Sequence, residues 1–555
     1  MVGRRDWLKK TGLGLSALAV ACGDDDGMGA DVGTDTGPDA PPMDGGLDAP
    51  IDAALPPPPT GFGYGVASGD PLPDAVILWS RYVPVEDVAS IDVVLTIARD
   101  LALTDVVETT TLTTDASRDW TLKYDATGLD AGATYYFQFA LTDASEQSLV
   151  GRTRTAPTGS VDRLRFGVVS CSSFGHGYFH SYRHLAERAD LDAILHLGDY
   201  IYEYGDGEYG SVRRYDPPHE IVSLEDYRRR YQHYRADPDL QAVHQQHPFI
   251  VVWDDHETAN NSWRDGAGNH DPIAEGRWED RLAAAYRAYV EWMPIREQDE
   301  DLKIWRAFSY GDLLDLVMLD TRIWGRDEET NRAGRDDPDR ELLGGDQEAW
   351  LQERLEESTA AWRVIGQQVM VGHWDTTSDE EGFVPINLDQ WDGYTPARQR
   401  LFDLFEASSN IVVLTGDIHS NWAMELARDP HDPLMYDPAT SSGSLGVELV
   451  VTSVTSEGAP GVIGMSLEEQ ALATNEHLRY VNFRLRGYML LDVTPERVQA
   501  DYWVLDGVEA GEGAQTRERS FSIATGTNRL EDEAMGVVDR TDVPDPAPNP
   551  PPREV

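Results

Sequence analysis

The chain has 555 residues and a formal net charge of −52 at pH 7. That length supports more than one hydrophobic core. A field this negative excludes nucleic acid and anionic membrane surfaces as partners, and an anionic substrate needs a local positive centre to approach. Lysine occurs only at 9, 10, 123 and 303, so arginine carries nearly all of the positive charge. The two cysteines, Cys22 and Cys171, sit in stretches of different character. A disulfide is arithmetically open, but the positions assign them separate jobs.

Residues 1–22 read as an address. "GRRDWLKK" (Gly3–Lys10) carries paired arginines, and "TGLGLSALAVA" (Thr11–Ala21) is apolar but shorter than the ~20 residues of a membrane span. The pattern resembles a twin-arginine export signal, and Ala19–Cys22 resembles a lipoprotein cleavage box that would lipidate Cys22. Plain cleavage near Ala21 is the alternative. Residues 23–60 are rich in Asp, Gly and Pro and cannot offset their ordering entropy by burial, so they are expected to be a disordered linker. Residues 61–157 hold β-branched and aromatic runs such as "AVILWSRYV" and "ATYYFQFALT" separated by turn residues, the pattern of a small β-sandwich. From 160 to 525 the pattern changes to α/β alternation. Residues 526–555, ending "DPAPNPPPREV", are expected to form a disordered acidic tail.

In the α/β part each apolar strand delivers a polar side chain just past its C-terminal end. "RLRFGVVS" ends at Cys171, "LDAILHL" at Asp199, "PFIVVW" at Asp254, Asp255 and His256, "LLDLVML" at Asp320, "WRVIGQQVMV" at His373, and "NIVVLT" at Asp417 and His419. Open α/β sheets place ligand sites there, which predicts six loops meeting at one end of a single sheet. One such acid is explained by helix capping or a turn; six together point to a site. Cys171, Asp199, Tyr202 and His419 offer a thiolate, a carboxylate, a phenolate and an imidazole, a set that suits Fe(III). Asp199, Asp255, Asp417 and the amides Asn260 or Asn261 offer only oxygen, which suits Ca²⁺ or Mn²⁺. Asp199 has two oxygens and bridges the two sets.

The ordered motifs "VSCSSF", "HLGDYIYEYG", "WDDHETANN", "LDTR", "DQWDGYTPARQR", "GDIHSNW", "VTSVTS" and "RGYMLLDVTPERV" resemble the PhoD-type alkaline phosphatases, a branch of the metallophosphoesterases, and "GFGYGVASGDPLPDAVILWSRY" resembles that family's N-terminal domain. The resemblance implies a four-layer αββα metallophosphoesterase sandwich preceded by a small all-β domain of fibronectin or Ig type. It implies an iron–calcium centre, with Mn or Zn as substitutes: Cys171, Asp199, Tyr202 and His419 on iron, and Asp199, Asp255 or Asn260, and Asp417 on calcium. The family often has Gln after "SC", where this chain has Ser172.

The expected reaction is metal-assisted hydrolysis of small phosphoesters or phospholipid headgroups. His256 is the expected proton donor and Arg398 the phosphate clamp. His373 is assigned to packing, and His176 and His180 to surface helices. The protein is expected to be a monomer, exported by the twin-arginine route to the periplasm, the medium or the outer surface, touching membrane only through an anchor at Cys22. The alternatives are a phospholipase-type phosphodiesterase on the same centre and a non-catalytic calcium-binding surface protein.

Overall fold

The β-branched runs at the start of the chain form β1 (Val66–Gly69), β2 (Ala75–Arg81), β3 (Ile91–Ala98), β4 (Val106–Thr114), β5 (Thr121–Thr127), β6 (Thr134–Leu141) and β7 (Gly151–Arg154). In this computed structural model the described residues are 57–298, 302–375, 385, 387–510, 513–541, 543–548 and 551. The export signal, and the linker apart from its last residues, lie outside the described residues. The sheet β4-β3-β6-β7 closes over β1, β2 and β5 around Val76, Leu78, Leu95, Ile97, Phe137 and Phe139. The sandwich is joined to the rest of the molecule by backbone. β1 pairs in parallel with the strand Pro248–Val251, so one face of the sandwich is the end of a much larger sheet.

That larger sheet has ten strands. After the sandwich come β8 (Leu164–Val169), β9 (Ala193–His196) and β10 (Pro248–Val251), then the hairpin β11 (Ser262–Trp263) and β12 (Gly266–Ala267). Next come β13 (Arg306–Tyr310), β14 (Leu314–Met318), β15 (Trp362–Gln367), β16 (Ile411–Thr415), β17 (Asn421–Leu426), β18 (Gly446–Val450) and β19 (Leu478–Asn482). The last are β20 (Gly487–Val493), β21 (Arg497–Leu505), β22 (Gln515–Ala524) and β23 (Glu531–Asp532). One sheet runs β23-β22-β21-β20-β8-β9-β10-β1-β2-β5 and the other β13-β14-β15-β16-β18-β17-β19.

Strand periodicity explains the layering. Along β14 and β16, Leu316, Met318, Val412 and Leu414 join the core between the sheets, while Val317 and Val413 face the outer core with Leu351, Leu401 and Phe402. Successive side chains point to opposite faces, so strands buried on both sides read as unbroken apolar runs. The helices Gly345–Glu357 and Thr395–Glu406 cover one outside face; His180–Ala186, Leu224–Arg235 and Pro238–Gln246 cover the other. The result is the four-layer αββα sandwich expected from the sequence.

Two sheets, and not one, bring the strand ends together. Val169 pairs with His196 and His196 with Val251, so β8, β9 and β10 stop at one level. Met318 pairs with Gly366 and Gln367 with Thr415, which levels β14, β15 and β16. The two edges then meet. A Cβ on Gly416 would sit 2.8 Å from the Ser170 Cβ, and Gln368 Nε2 donates to the Trp253 carbonyl at 2.8 Å.

The C-terminal segment departs from the expectation. Its described residues pack against both parts of the molecule. Arg165 donates to the Val538 carbonyl at 2.9 Å, Tyr136 to the Asp545 carbonyl at 2.7 Å, and the Gln246 amide both donates to and accepts from the Ala547 backbone, at 3.1 and 3.0 Å. Deleting residues 530–555 should therefore remove one of several acceptors of buried Arg165 and both Ala547 partners of the Gln246 amide, at roughly 1–3 kcal/mol for a buried polar group left unpaired. The expected outcome is a lower calorimetric melting temperature; a truncated chain as stable as the full one would show that these contacts contribute nothing.

Candidate metal centre

The donors sit on strained backbone. Cys171, Asp199, Asp417 and His419 have φ of 59°, 56°, 64° and 51°, and Asn261 has 51°. Residues with a Cβ avoid this left-handed region, and each costs on the order of 1–3 kcal/mol that its surroundings must over-determine. Hydrogen bonds do so here. Cys171 N donates to the Gly198 carbonyl and Ser172 N to the Asp199 carbonyl, at 3.1 and 2.8 Å, lacing the loop after β8 to the loop after β9. Ser172, where the family often has Gln, also donates its hydroxyl to the Tyr200 carbonyl at 2.9 Å. Gly198 (φ 109°) lies against the loop after β10: a Cβ there would come within 2.4 Å of the Asp254 Cβ. Glu257 completes the lacing by accepting from the backbone of Asp199, Tyr200 and Asp254 at 3.1, 2.6 and 2.7 Å.

Three overlapping groups of donors result, each with its atoms within 4.8 Å of one another: Cys171, Asp199 and His419; Asp199, Asp255 and His256; and Asp254, Asp255 and Asp417. Tyr202 joins the first. Its hydroxyl donates to Asp199 Oδ2 at 2.9 Å, lies 3.2 Å from His419 Nε2 and receives the Ser456 hydroxyl at 2.7 Å. Asp199 belongs to two groups, yet among the described residues its buried Oδ1 has no hydrogen-bond partner, and neither has Asn260 Oδ1. Buried polar atoms are rarely left so, because desolvation without a partner costs several kcal/mol. A cation held by the groups around Asp199 would satisfy its free oxygen.

The electrostatics agree. Burial, helped by neighbouring acids, pushes the Cys171 thiol, the Tyr202 phenol and the Asp199 carboxyl well above their ordinary ranges. A bound cation reverses that, because ligation requires the deprotonated forms. Burial holds His419 neutral, at about 3. Its Nδ1 lies 3.1 Å from the Glu457 carbonyl and donates to it, which leaves the Nε2 lone pair facing the first group. His256 is the opposite case. Burial disfavours its charge, but Glu203, Asp255 and Asp199 outweigh burial, and Glu203 Oε2 holds His256 Nδ1 at 2.7 Å.

Cys171, Asp199 and Asp255 come from the ten-stranded sheet, and Asp417 and His419 from the other, so the single-sheet expectation is corrected. Arg398 is corrected too. It is buried against Asp392, which also lies 3.3 Å from His373 Nδ1, and the helix carrying it packs on the outer face of the seven-stranded sheet. A guanidinium committed to that ion pair is not a phosphate clamp at the donor groups. Asp320 caps its own turn, accepting from Arg322 N and Ile323 N at 2.8 and 2.9 Å. His176 bonds the Ser173 hydroxyl at 2.9 Å and His180 stacks on Tyr178; neither joins a donor group. Sequence reasoning missed Arg322, whose guanidinium meets Asp254, Asp389 and Asp417, and Glu203, which also accepts from Asn260 N at 2.7 Å. The signals were present: an arginine right after a strand-end acid in "LDTR", and an acid inside the aromatic run "YIYEYG".

The profile of the PhoD-like phosphatase family matches residues 166–502, and that of the PhoD-like phosphatase N-terminal domain matches residues 50–157. The chain is 38% identical over 486 residues to alkaline phosphatase D of Bacillus subtilis (strain 168), covering 82% of this chain and 80% of that protein. A solved structure of PhoD superposes with a TM-score of 0.79 at 34% identity, over 88% of this chain and 95% of that one.

Asp199→Asn removes the shared carboxylate and is expected to lose most of the metal that the wild-type protein retains through gel filtration, while His373→Gln, outside the donor groups, retains it. Elemental analysis reads both. Full metal content in Asp199→Asn would mean that these residues are not ligands.

Proposed function

The chain belongs to the PhoD-like phosphatase family and is a phosphoric ester hydrolase, and from that premise we propose that it is an exported alkaline phosphatase acting on phosphomonoesters and phosphodiesters through a mixed iron–calcium centre. The observation that carries the reading is Asp199, a buried carboxylate with one unpartnered oxygen that belongs both to the group with Cys171 and His419 and to the group with Asp255 and His256, the latter sharing Asp255 with the oxygen-only group Asp254, Asp255 and Asp417. Cys171, Tyr202 and His419, with Asp199, fit Fe(III); calcium has no use for thiolate or phenolate. Asp199, Asp255, Asn260 and Asp417 fit a hard divalent ion. Bound there, the cations supply Lewis acidity toward phosphoryl oxygens and a nucleophile at neutral pH.

The chain's own residues do the rest. Glu203 holds His256 charged beside Asp199 and Asp255, so the imidazolium is placed to give a proton to the leaving oxygen or to offset charge that develops on the phosphoryl group. Tyr202 stacks on Tyr209 at 5.2 Å, and its ring lies tilted against His256 at 4.2 Å, so aromatic rings flank the imidazole. Substrates in this reading are small phosphoesters or phospholipid headgroups, bound by a monomer with no role for nucleic acid. Membership of an enzyme family displaces the calcium-binding surface protein as an alternative. The protein purified after native export should contain iron and calcium and hydrolyse p-nitrophenyl phosphate faster than its bis ester or phosphatidylcholine, with activity lost on chelation. Hydrolysis undiminished in the metal-stripped protein would overturn the proposal, and a faster rate on phosphatidylcholine would move the substrate to lipid.

The paired Arg4 and Arg5 support the twin-arginine route, which carries folded proteins and so permits the centre to be loaded before transport. Among the described residues no helix is long and apolar enough to cross a membrane. In this reading the mature protein is periplasmic, extracellular or held at the outer surface through a lipid on Cys22. Changing both arginines to lysine should trap the protein in the cytoplasm, as followed by fractionation; unchanged export would refute the route.

A further inference from the structure

The third donor group, Asp254, Asp255 and Asp417, has the spacing of a cation site, and a cation of the chain already occupies it. Arg322 is fully buried, and each of its guanidinium nitrogens meets a carboxylate. Nε bonds Asp254 Oδ1 at 2.5 Å, Nη1 bonds Asp389 Oδ2 at 2.6 Å, and Nη2 bonds Asp417 Oδ1 at 2.6 Å while lying 3.6 Å from Asp255 Oδ1. The backbone fixes this arm. Arg322 N is capped by Asp320, and Asp389 is braced from its other oxygen by Arg326. A guanidinium is planar, carries several donors in a rigid fork and stays charged at every pH the fold survives. A metal needs those same carboxylate lone pairs and cannot share the space.

We propose that Arg322 is a positioning residue that serves as the built-in cation of this third group. It holds Asp255 and Asp417 converged for the calcium site while denying the group Asp254–Asp255–Asp417 an ion of its own. The inference rests on the reading that Asp255 and Asp417, with Asp199 and Asn260, hold calcium. Two features of the geometry support the division of labour. Arg322 takes Asp417 through Oδ1, which leaves the second oxygen of that carboxylate for a metal. On the far side Asp254 Oδ2 is buried without a hydrogen-bond partner among the described residues, so removal of the guanidinium would leave a cluster of buried carboxylates short of positive charge.

The test compares full-length wild-type protein with Arg322→Met and Arg322→Lys after equilibration in calcium buffers. Elemental analysis and calorimetric titration give the ions bound per chain, and melting curves are recorded with chelator and with millimolar calcium. Arg322→Met is expected to bind one calcium ion more per chain than wild type, to melt lower in chelator and to regain the loss in calcium. Arg322→Lys, which keeps the charge, is expected to keep the wild-type count. An Arg322→Met chain that folds only with calcium present gives the same answer. The wild-type count and wild-type calcium dependence in Arg322→Met would overturn the inference, as would a variant unfolded at every calcium concentration. A wild-type protein that binds no calcium would instead remove the reading beneath it.

Discussion

The Asp199 carboxylate is fixed where loops of two sheets converge, and one of its oxygens is buried there without a hydrogen-bond partner among the described residues. Its backbone is held in a left-handed conformation, its amide is claimed by Glu257, and one of its oxygens already accepts from Tyr202. The other oxygen is buried with no hydrogen-bond partner among the described residues. Everything nearby is arranged around that deficit. Gly198 has no side chain because the loop carrying Asp254 lies against it. Cys171 and His419 approach from different sheets, and their own backbones carry left-handed strain that the surrounding structure holds in place.

Much of this is written in the sequence as punctuation. An apolar run that stops at an acid, a cysteine or a histidine marks a strand end, and strand ends are where α/β sheets bind ligands. Cys171, Asp199, Asp255, Asp417 and His419 could be chosen that way, Tyr202 by its spacing from Asp199, and Asn260 over Asn261 only through the family resemblance. What periodicity does not carry is which strands share a sheet, because residues buried on both faces look alike in one sheet or two. Arg398 and Arg322 show the cost. Both follow plausible signals, but an arginine's reach depends on which face its helix or loop covers, and the outer face took Arg398 to Asp392. The C-terminal segment shows another limit. Its anchors are main-chain groups at Val538, Asp545 and Ala547, and a main-chain acceptor has no side-chain signature to read.

The preference for arginine over lysine follows from the same need to satisfy buried acceptors. Arg165, Arg230, Arg281 and Arg322 are among the largest fully buried side chains. Arg230 ties the carbonyls of Tyr204 and Pro217, each at 2.9 Å, and so pins the loop that leaves the metal centre. Arg281 binds Glu220, Glu275 and the Asn269 carbonyl, and Asn269 in turn donates to Glu203. The path from Arg281 to His256 is therefore a chain of direct contacts through Asn269 and Glu203. An ammonium is a compact point charge on a flexible stem, whereas the guanidinium fork holds several fixed acceptors at once.

The surface charge sets the terms on which such a centre works. A chain at −52 repels phosphate anions from every side, so affinity cannot come from a diffuse basic patch. It must come from a short-range positive source that is shielded from the general field. Arg322 cannot be that source, since its nitrogens are committed to aspartates, and Arg398 is committed to Asp392. His256 carries its charge because Glu203, Asp255 and Asp199 together outweigh its burial. With Arg322 and Arg398 committed, the attraction for a phosphoryl group in the proposed reading comes from His256 and from the cations that the donor groups around Asp199 would hold.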